Sequence, residues 1–203
     1  MKGDRTGGRD EAVIPLPPVQ PGSPLTVLGA IGARRSVRAW AARSLEEAEL
    51  AALCWAAQGL TSPAGLRAAP SAGGLYPVSL TVADARGVWR YLPARHALER
   101  TFAKDRREWL SAAALGQEFV ARAPAVLVVS AAPAVLAPQY GLRAERYAVL
   151  EAGHVAENVL LAAVALGLAA VPVAAFSDAA VVEAARLAMG QIPMVLVPVG
   201  APA

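Results

Sequence analysis

From Val159 to Phe176 the chain reads VLLAAVALGLAAVPVAAF, with no charged and no polar side chain. A run of about this length either crosses a bilayer or occupies the middle of a fold, because length and hydropathy fit both. Gly167 and Pro172 fall inside it. A helix ending near Gly167, followed by a buried strand, accounts for the run without a membrane. Extended backwards, the same helix covers residues 141–166. Tyr147, Glu151, His154 and Asn158 recur along it at steps of four, three and four, which places them on one face. The other faces are mostly Val, Leu and Ala. A helix apolar nearly all round is buried on several sides, so this one crosses the centre of the protein or a subunit interface. Its polar stripe lines a site or forms a satisfied seam. Buried polar residues are more often structural than catalytic, which favours the seam.

Around this helix the other elements follow. Residues 1–23 are polar and then Pro-rich, an extended N-terminal segment, and residues 24–203 form one domain. Ser23 followed by Pro24 starts a helix to about Gly32. Ser44 and Glu47 form a capping box for a helix ending near Gly59. SLTVADARGVWRYL reads as a hairpin turning at DARG. Asp105 caps the helix RREWLSAAAL. AVLVVSA is a buried strand, AAVPVAAF a strand or extended loop, DAAVVEAARLA a short helix and MVLVPV a last strand. Helices alternate with strands, but one strand pair is a hairpin, so the sheet is at least partly antiparallel and the class is α+β.

Composition and motifs exclude several kinds of chemistry. Hydrophobic residues make up 56% of the 203 and charged residues 17%, so the bulk of the chain folds. The net charge of +3 comes from scattered arginines, and KDRRE is diluted by its own acids, which excludes a nucleic-acid partner. Cys54 is the single cysteine, so one chain builds neither a disulfide nor a cysteine metal site. That cysteine usage fits a reducing compartment. MKGDRTGGRD has no apolar core of the signal-peptide kind, and the expected location is cytoplasmic. No Gly-x-Ser-x-Gly elbow, phosphate-binding P-loop or dinucleotide fingerprint is present, and no spacing supports a metal. Lysine occurs only at Lys2 and Lys104. So few catalytic groups of its own suggest that a cofactor carries the chemistry.

Two short stretches suit a cofactor. In an extended RRSVR, Arg34, Ser36 and Arg38 point one way and Arg35 and Val37 the other. Two guanidinium groups and a hydroxyl on one side suit a phosphate; a solvated basic loop after a helix end is the alternative. PSAGGLYP sets Ser71, Ala72, Gly73 and Gly74 between Pro70 and Pro77. Adjacent glycines mark either a turn needing positive φ or a backbone that another group approaches closely.

Five segments, RRSVR, APSAGGLYP, QYGLRAERYAVLEAGHVAENVLLAAVALGL, AVPVAAFSD and PMVLVPVG, occur in an order and spacing that resembles the FMN-dependent nitroreductase-like proteins. PSAGGLYP and RYAVLEAGHVAENVLLAA are similar to the SagB-type branch, the thiazole/oxazole-forming azoline dehydrogenases. The resemblance spans about residues 30–200. It implies a mixed, largely antiparallel sheet flanked by helices, a long central dimerisation helix, and FMN sites at the interface of a homodimer. It also implies that Arg34, Arg35, Ser36 and Arg38 contact the phosphate and ribityl chain. Pro70, Ser71, Ala72, Gly73 and Gly74 would lie against the flavin, and Pro172, Val173, Ala174 and Ala175 beside its ring. The activity implied is hydride transfer through FMN from NAD(P)H or an organic donor to a small acceptor. The alternatives are azoline oxidation on a ribosomal peptide, or flavin binding without turnover. Two departures stand out. Ala174 and Ala175 occupy a segment that often carries Gly in the family. Gln139 stands before the candidate catalytic Tyr140 where the azoline branch has Lys. A lysine favours the phenolate of a neighbouring tyrosine and a glutamine does not, which puts azoline oxidation in doubt.

Overall fold

The computed structural model describes residues 12–20, 22 and 24–203. Its elements in chain order are β1 (Val13–Pro15), α1 (Val27–Ala33), α2 (Glu47–Gln58), β2 (Val78–Asp84), β3 (Gly87–Leu92), β4 (Ala97–Phe102), α3 (Arg107–Ala113), α4 (Glu118–Arg122), β5 (Ala125–Ala131), α5 (Ala137–Tyr140), α6 (Ala144–Ala165), β6 (Ala169–Ala170), α7 (Asp178–Ala184) and β7 (Ile192–Gly200). The strands form one sheet in the order β1-β4-β3-β2-β5-β7-β6. Each of its ladders is antiparallel.

The sheet is covered on both faces, and β5 shows why its sequence reads as a continuous apolar run. Successive side chains of a strand point to opposite faces. Ala125, Leu127, Val129 and Ala131 pack with residues of α2 and α6, while Val126 and Val128 pack with α3, α4 and α7. β7 repeats the division, with Val197 and Val199 on the first face and Leu196 on the second. The long helix thus lies centrally against the sheet, as its sequence requires. Ala137–Ala165 is long and apolar enough to cross a membrane by length and composition. In the fold, Ala148, Ala152, Val155, Val159 and Ala163 of α6 are buried against strands and α2.

The boundaries differ from expectation at informative places. α1 starts at Val27, where the Thr26 hydroxyl accepts the Gly29 amide at 3.0 Å. Ser23 lies outside the described residues. α2 is not capped by Ser44 and Glu47. Its cap is Glu46, whose amide donates to the Glu49 carboxylate at 2.8 Å, and Arg43 grips that carboxylate through both terminal nitrogens. The Arg43–Glu49 pair fixes Glu49 in the third helical position and moves the start two residues on. Asp105 is not the cap of α3: Arg106 holds that position without a side-chain cap bond, and the Asp105 carboxylate one residue before it accepts the Arg107 amide at 2.9 Å. α6 starts at Ala144 and not at 141, because Gly141, with φ at +51°, ends α5 and opens a separate turn. Gly167, at φ +70°, ends the helix as expected. Within the Pro-rich segment, of which residues 1–11, 21 and 23 lie outside the described residues, Val13–Pro15 is a strand paired to β4. His96 holds that end: its Nε2 donates to the Pro17 carbonyl and its Nδ1 accepts from the Tyr91 hydroxyl.

Candidate cofactor site

Arg34 to Arg38 follow α1 and run beside β6. Ser36 bridges Ala170 in parallel, and the Val37 amide donates to the Ala170 carbonyl at 3.1 Å. The Trp40 indole donates to the Ala169 carbonyl at 3.0 Å. Arg35 turns back to cap α1, donating to the Gly32 and Arg34 carbonyls at 3.0 and 2.7 Å. Among the described residues the Arg34 guanidinium makes only a long contact, 4.0 Å, with Glu157 of α6. Arg38 is exposed, with its guanidinium 5.6 Å from the Phe119 ring centre. Arg34, Ser36 and Arg38 therefore keep donor capacity for an anion, and Arg35 spends its own on the helix end.

The 172–175 segment continues from β6 as an irregular edge beside β7. The Val173 and Leu196 backbones exchange hydrogen bonds at 2.8 and 2.9 Å. Val173 is buried, while Pro172, Ala174 and Ala175 are exposed. Ala174 helps to line a cavity of about 410 Å³ between α6 and β7, with Gly153, Ala156, Phe176 and Met194. The bridge from Ser36 to Ala170 thus brings two of the three sequence-predicted segments together.

The third segment lies elsewhere on α6. Pro70, Ser71 and Ala72 share a cavity of about 180 Å³ with Tyr147, Glu151 and His154. The glycines of PSAGGLYP divide their roles. Gly73 has φ at +61°, and a methyl group there would sit 2.8 Å from the Tyr140 hydroxyl. Its missing side chain makes room for Tyr140. Gly74, also at positive φ, has nothing within 4 Å of its Cβ position. Gln139 Nε2 donates to the Tyr140 oxygen at 3.2 Å, and Tyr140 meets Tyr147 edge-on with ring centres 5.1 Å apart.

The stripe on α6 is a seam at one residue and not at another. Asn158 is satisfied, donating to the Ala56 and Ala68 carbonyls. Glu151 is 2% exposed, and its carboxyl oxygens make no close hydrogen bond, with the Ser71 hydroxyl, the Val78 amide and the Gln58 amide as the donors around them. Burial raises its pKa above the ordinary carboxylate value, opposed by Ser71, the Val78 amide, Arg67 and Gln58. Nothing in the sequence pointed to Gln58 or Arg67. Gln58 ends a helix and Arg67 sits alone in a loop, and only the packing sets both behind PSAGGLYP.

Residues 31–201 match the nitroreductase family. The chain belongs to that family. A protein named a nitroreductase, from Methanocaldococcus jannaschii, is 39% identical over 173 residues, covering 82% of this chain and 86% of its own length. A crystal structure bearing the same name, from Ralstonia eutropha, has a TM-score of 0.86 and 31% identity, covering 97% of this chain and 92% of that one. A third, from Desulfovibrio desulfuricans and solved in complex with FMN, has a TM-score of 0.67 and covers 87% of this chain and 86% of that one. At 23% identity that likeness is one of fold. The nitroreductase fold is therefore α+β as expected, with its long helix central, and the chain is a nitroreductase-type oxidoreductase by family. The residues present fit a flavin mononucleotide. Two arginines and a hydroxyl are available to a phosphate, and Pro172, Ala174 and Ala175 present small exposed side chains nearby.

Proposed function

We propose that this nitroreductase-family chain is an FMN-dependent oxidoreductase that works as a homodimer. In this reading it transfers hydride between NAD(P)H, or an organic donor, and a small acceptor. One observation carries the reading. The candidate residues are split by α6, with Arg34–Arg38 and Pro172–Ala175 on one flank and Pro70–Gly74 with Tyr140 on another. Val149 and Leu150 of α6 are more than half exposed, as are Val27, Leu28 and Ile31 of α1. Burying that apolar surface favours association. A second copy packed over it would bring the 70–74 loop of one protomer to the arginine flank of the other, completing a site that neither has alone. The FMN complex of a protein sharing this fold supports the choice of cofactor. The single buried cysteine supports a cytoplasmic location.

FMN bound there would supply a two-electron, hydride-accepting ring. The chain's own groups do the rest. Arg34 and Arg38 hold the phosphate by charge-assisted bonds, Ser36 adds a neutral one, and the two small-residue segments exclude water from the ring. Light scattering with absorbance detection tests the reading. The expected result is a dimer carrying a yellow chromophore that is released as FMN, whereas a monomer that retains FMN overturns the shared site.

The SagB-type likeness rests on PSAGGLYP and RYAVLEAGHVAENVLLAA. The Tyr140 environment sets the limit on it. The partner of its hydroxyl is the neutral Gln139 amide and not an ammonium group. We expect Tyr140→Phe to keep flavin reduction by NAD(P)H within about tenfold of wild type, about 1.4 kcal/mol of barrier. We also expect the unmutated protein to leave a thiazoline peptide unoxidised under oxygen. Mass spectrometry decides the second point: conversion to the thiazole at catalytic rates would establish the azoline oxidase reading.

A further inference from the structure

The loop from Pro70 to Pro77 holds a shape that one of its residues resists. Gly73 and Gly74 have φ at +61° and +65°, where glycine is at ease. Tyr76 has φ at +51°, in the same left-handed region, and for a residue with a bulky side chain that conformation is unfavourable. Gly73, Gly74 and Leu75 are exposed. The backbone bonds inside the loop are long, from the Gly74 amide to the Ser71 carbonyl at 3.1 Å and from the Leu75 amide to the Ala72 carbonyl at 3.2 Å. Side-chain contacts therefore have to hold Tyr76 in place.

Three contacts do so. The Tyr76 amide donates to the Ser71 hydroxyl oxygen at 2.8 Å, which closes the loop on itself. The Tyr76 hydroxyl accepts the Arg67 amide at 3.0 Å, and the Arg67 guanidinium lies over the Tyr76 ring, 4.4 Å from its centre. Arg67 is in turn anchored to two helices. It forms an antiparallel bridge with Leu60, just past the end of α2, and the following amide, of Ala68, donates to the Gly59 carbonyl at 2.9 Å. Asn158 of α6 donates to the Ala68 carbonyl at 3.3 Å. Arg67 Nη1 donates at 2.9 Å to Oε1 of Gln58, the buried last residue of α2. A chain of contacts thus runs from α2 and α6 through Arg67 and Tyr76 to Ser71.

We propose that Arg67 and Tyr76 form a clasp that keeps the 70–77 loop in the shape in which residues 70–74 lie against the cofactor; both are positioning residues for the site. This rests on the FMN reading above. A loop that holds its binding shape for only a fraction of the time weakens binding by that fraction, with no contact to the ligand removed. The residue types fit the role. Lysine at 67 would keep the charge but lose the flat face that covers an aromatic ring and the fork that reaches Gln58. Phenylalanine at 76 would keep the ring but leave the half-buried Arg67 amide without its acceptor. Glycine, the residue that this φ favours, would offer neither ring nor hydroxyl.

The test compares Tyr76→Phe and Arg67→Lys with Gly87→Ala. Gly87 lies beyond the far end of β2 from the loop, and an added methyl there would meet the Phe102 carbonyl oxygen, so this control costs stability away from residues 70–77. In fluorescence titration each clasp variant should bind FMN about tenfold more weakly. The double variant should lose less than a hundredfold, because both changes open the same loop. Amide exchange followed by mass spectrometry, on the full chain as purified, should speed up about tenfold over residues 74–76 in both clasp variants. Gly87→Ala should lower the urea midpoint and leave FMN affinity and exchange over 74–76 at wild-type values. Unchanged FMN affinity or unchanged exchange in both clasp variants overturns the proposal, and so does an equal loss of affinity in Gly87→Ala. Protein that purifies without flavin sinks the FMN reading, and exchange over 74–76 still decides whether Arg67 and Tyr76 hold the loop.

Discussion

Arg34→Ala combined with Arg38→Ala should lower affinity for FMN about a thousandfold. In the proposed phosphate site each guanidinium would make a charge-assisted bond worth about 2 kcal/mol, and about 4 kcal/mol in all corresponds to three decades of affinity. Each single variant should lose about thirtyfold. Little stability goes with these side chains. The Arg34–Glu157 pair is long and lies at the surface, where such pairs contribute under about 1 kcal/mol. Arg38 has the Phe119 ring at 5.6 Å, a contact of similar size. Arg35→Ala is the internal control. Its guanidinium caps α1, so the change should lower stability more than affinity. Fluorescence titration of the apoprotein with FMN, beside urea unfolding of each variant, separates the two effects. Wild-type affinity in both single variants removes these residues from the phosphate site.

Gly87→Ala should lower the unfolding free energy by about 3–4 kcal/mol without touching the cofactor site. Gly87 opens β3 with φ at +141°, a backbone conformation that L side chains rarely adopt, and an added methyl would run into the Phe102 carbonyl oxygen on β4. Neither side can yield easily. β3 is paired on both edges, to β2 and to β4. The turn before it is pinned by Asp84, whose carboxylate accepts the Arg86 amide at 2.8 Å and the Trp89 indole at 3.2 Å. Gly65 provides the comparison. It too has positive φ, at +81°, but its Cβ position is open, so Gly65→Ala should cost only about 1–2 kcal/mol. Equal losses at the two positions in urea unfolding would show that the Phe102 contact contributes nothing.

The central helix and the buried strands were legible because their apolar pattern is long and leaves few alternatives. β5 alternates between two different helical layers, so every position is apolar, and no periodicity is needed to recognise it. Helix starts were less legible. Ser44 and Ser23 carry the expected cap chemistry, but Arg43 and Thr26 make the contacts that set the register. β1 and β4 were missed for a different reason. β1 is short and Pro-rich, and it is a strand because β4 lies beside it and His96 ties down its end. At the candidate site, the arginines and the glycine loop carry their chemistry in their letters. Gln58 and Arg67 do not, and the burial of Glu151 is a property of packing. Gly73 was read as either a positive-φ turn or a point of close approach, and it is both, with φ at +61° and Tyr140 of the same chain as the group that approaches.

The short β1 has a bearing on how crowded solutions of this protein behave. A sheet with a free outer strand presents unpaired amides that recruit strands from other molecules. Among the described residues the outermost strand on that side is three residues long and ends in Pro15, with Pro17 and Pro18 just beyond. Proline has no amide proton to offer a newcomer. At the opposite edge β6 has two residues before Pro172 interrupts the chain. Among the described residues both margins of the seven-stranded sheet are therefore poor templates, which disfavours edge-to-edge polymerisation.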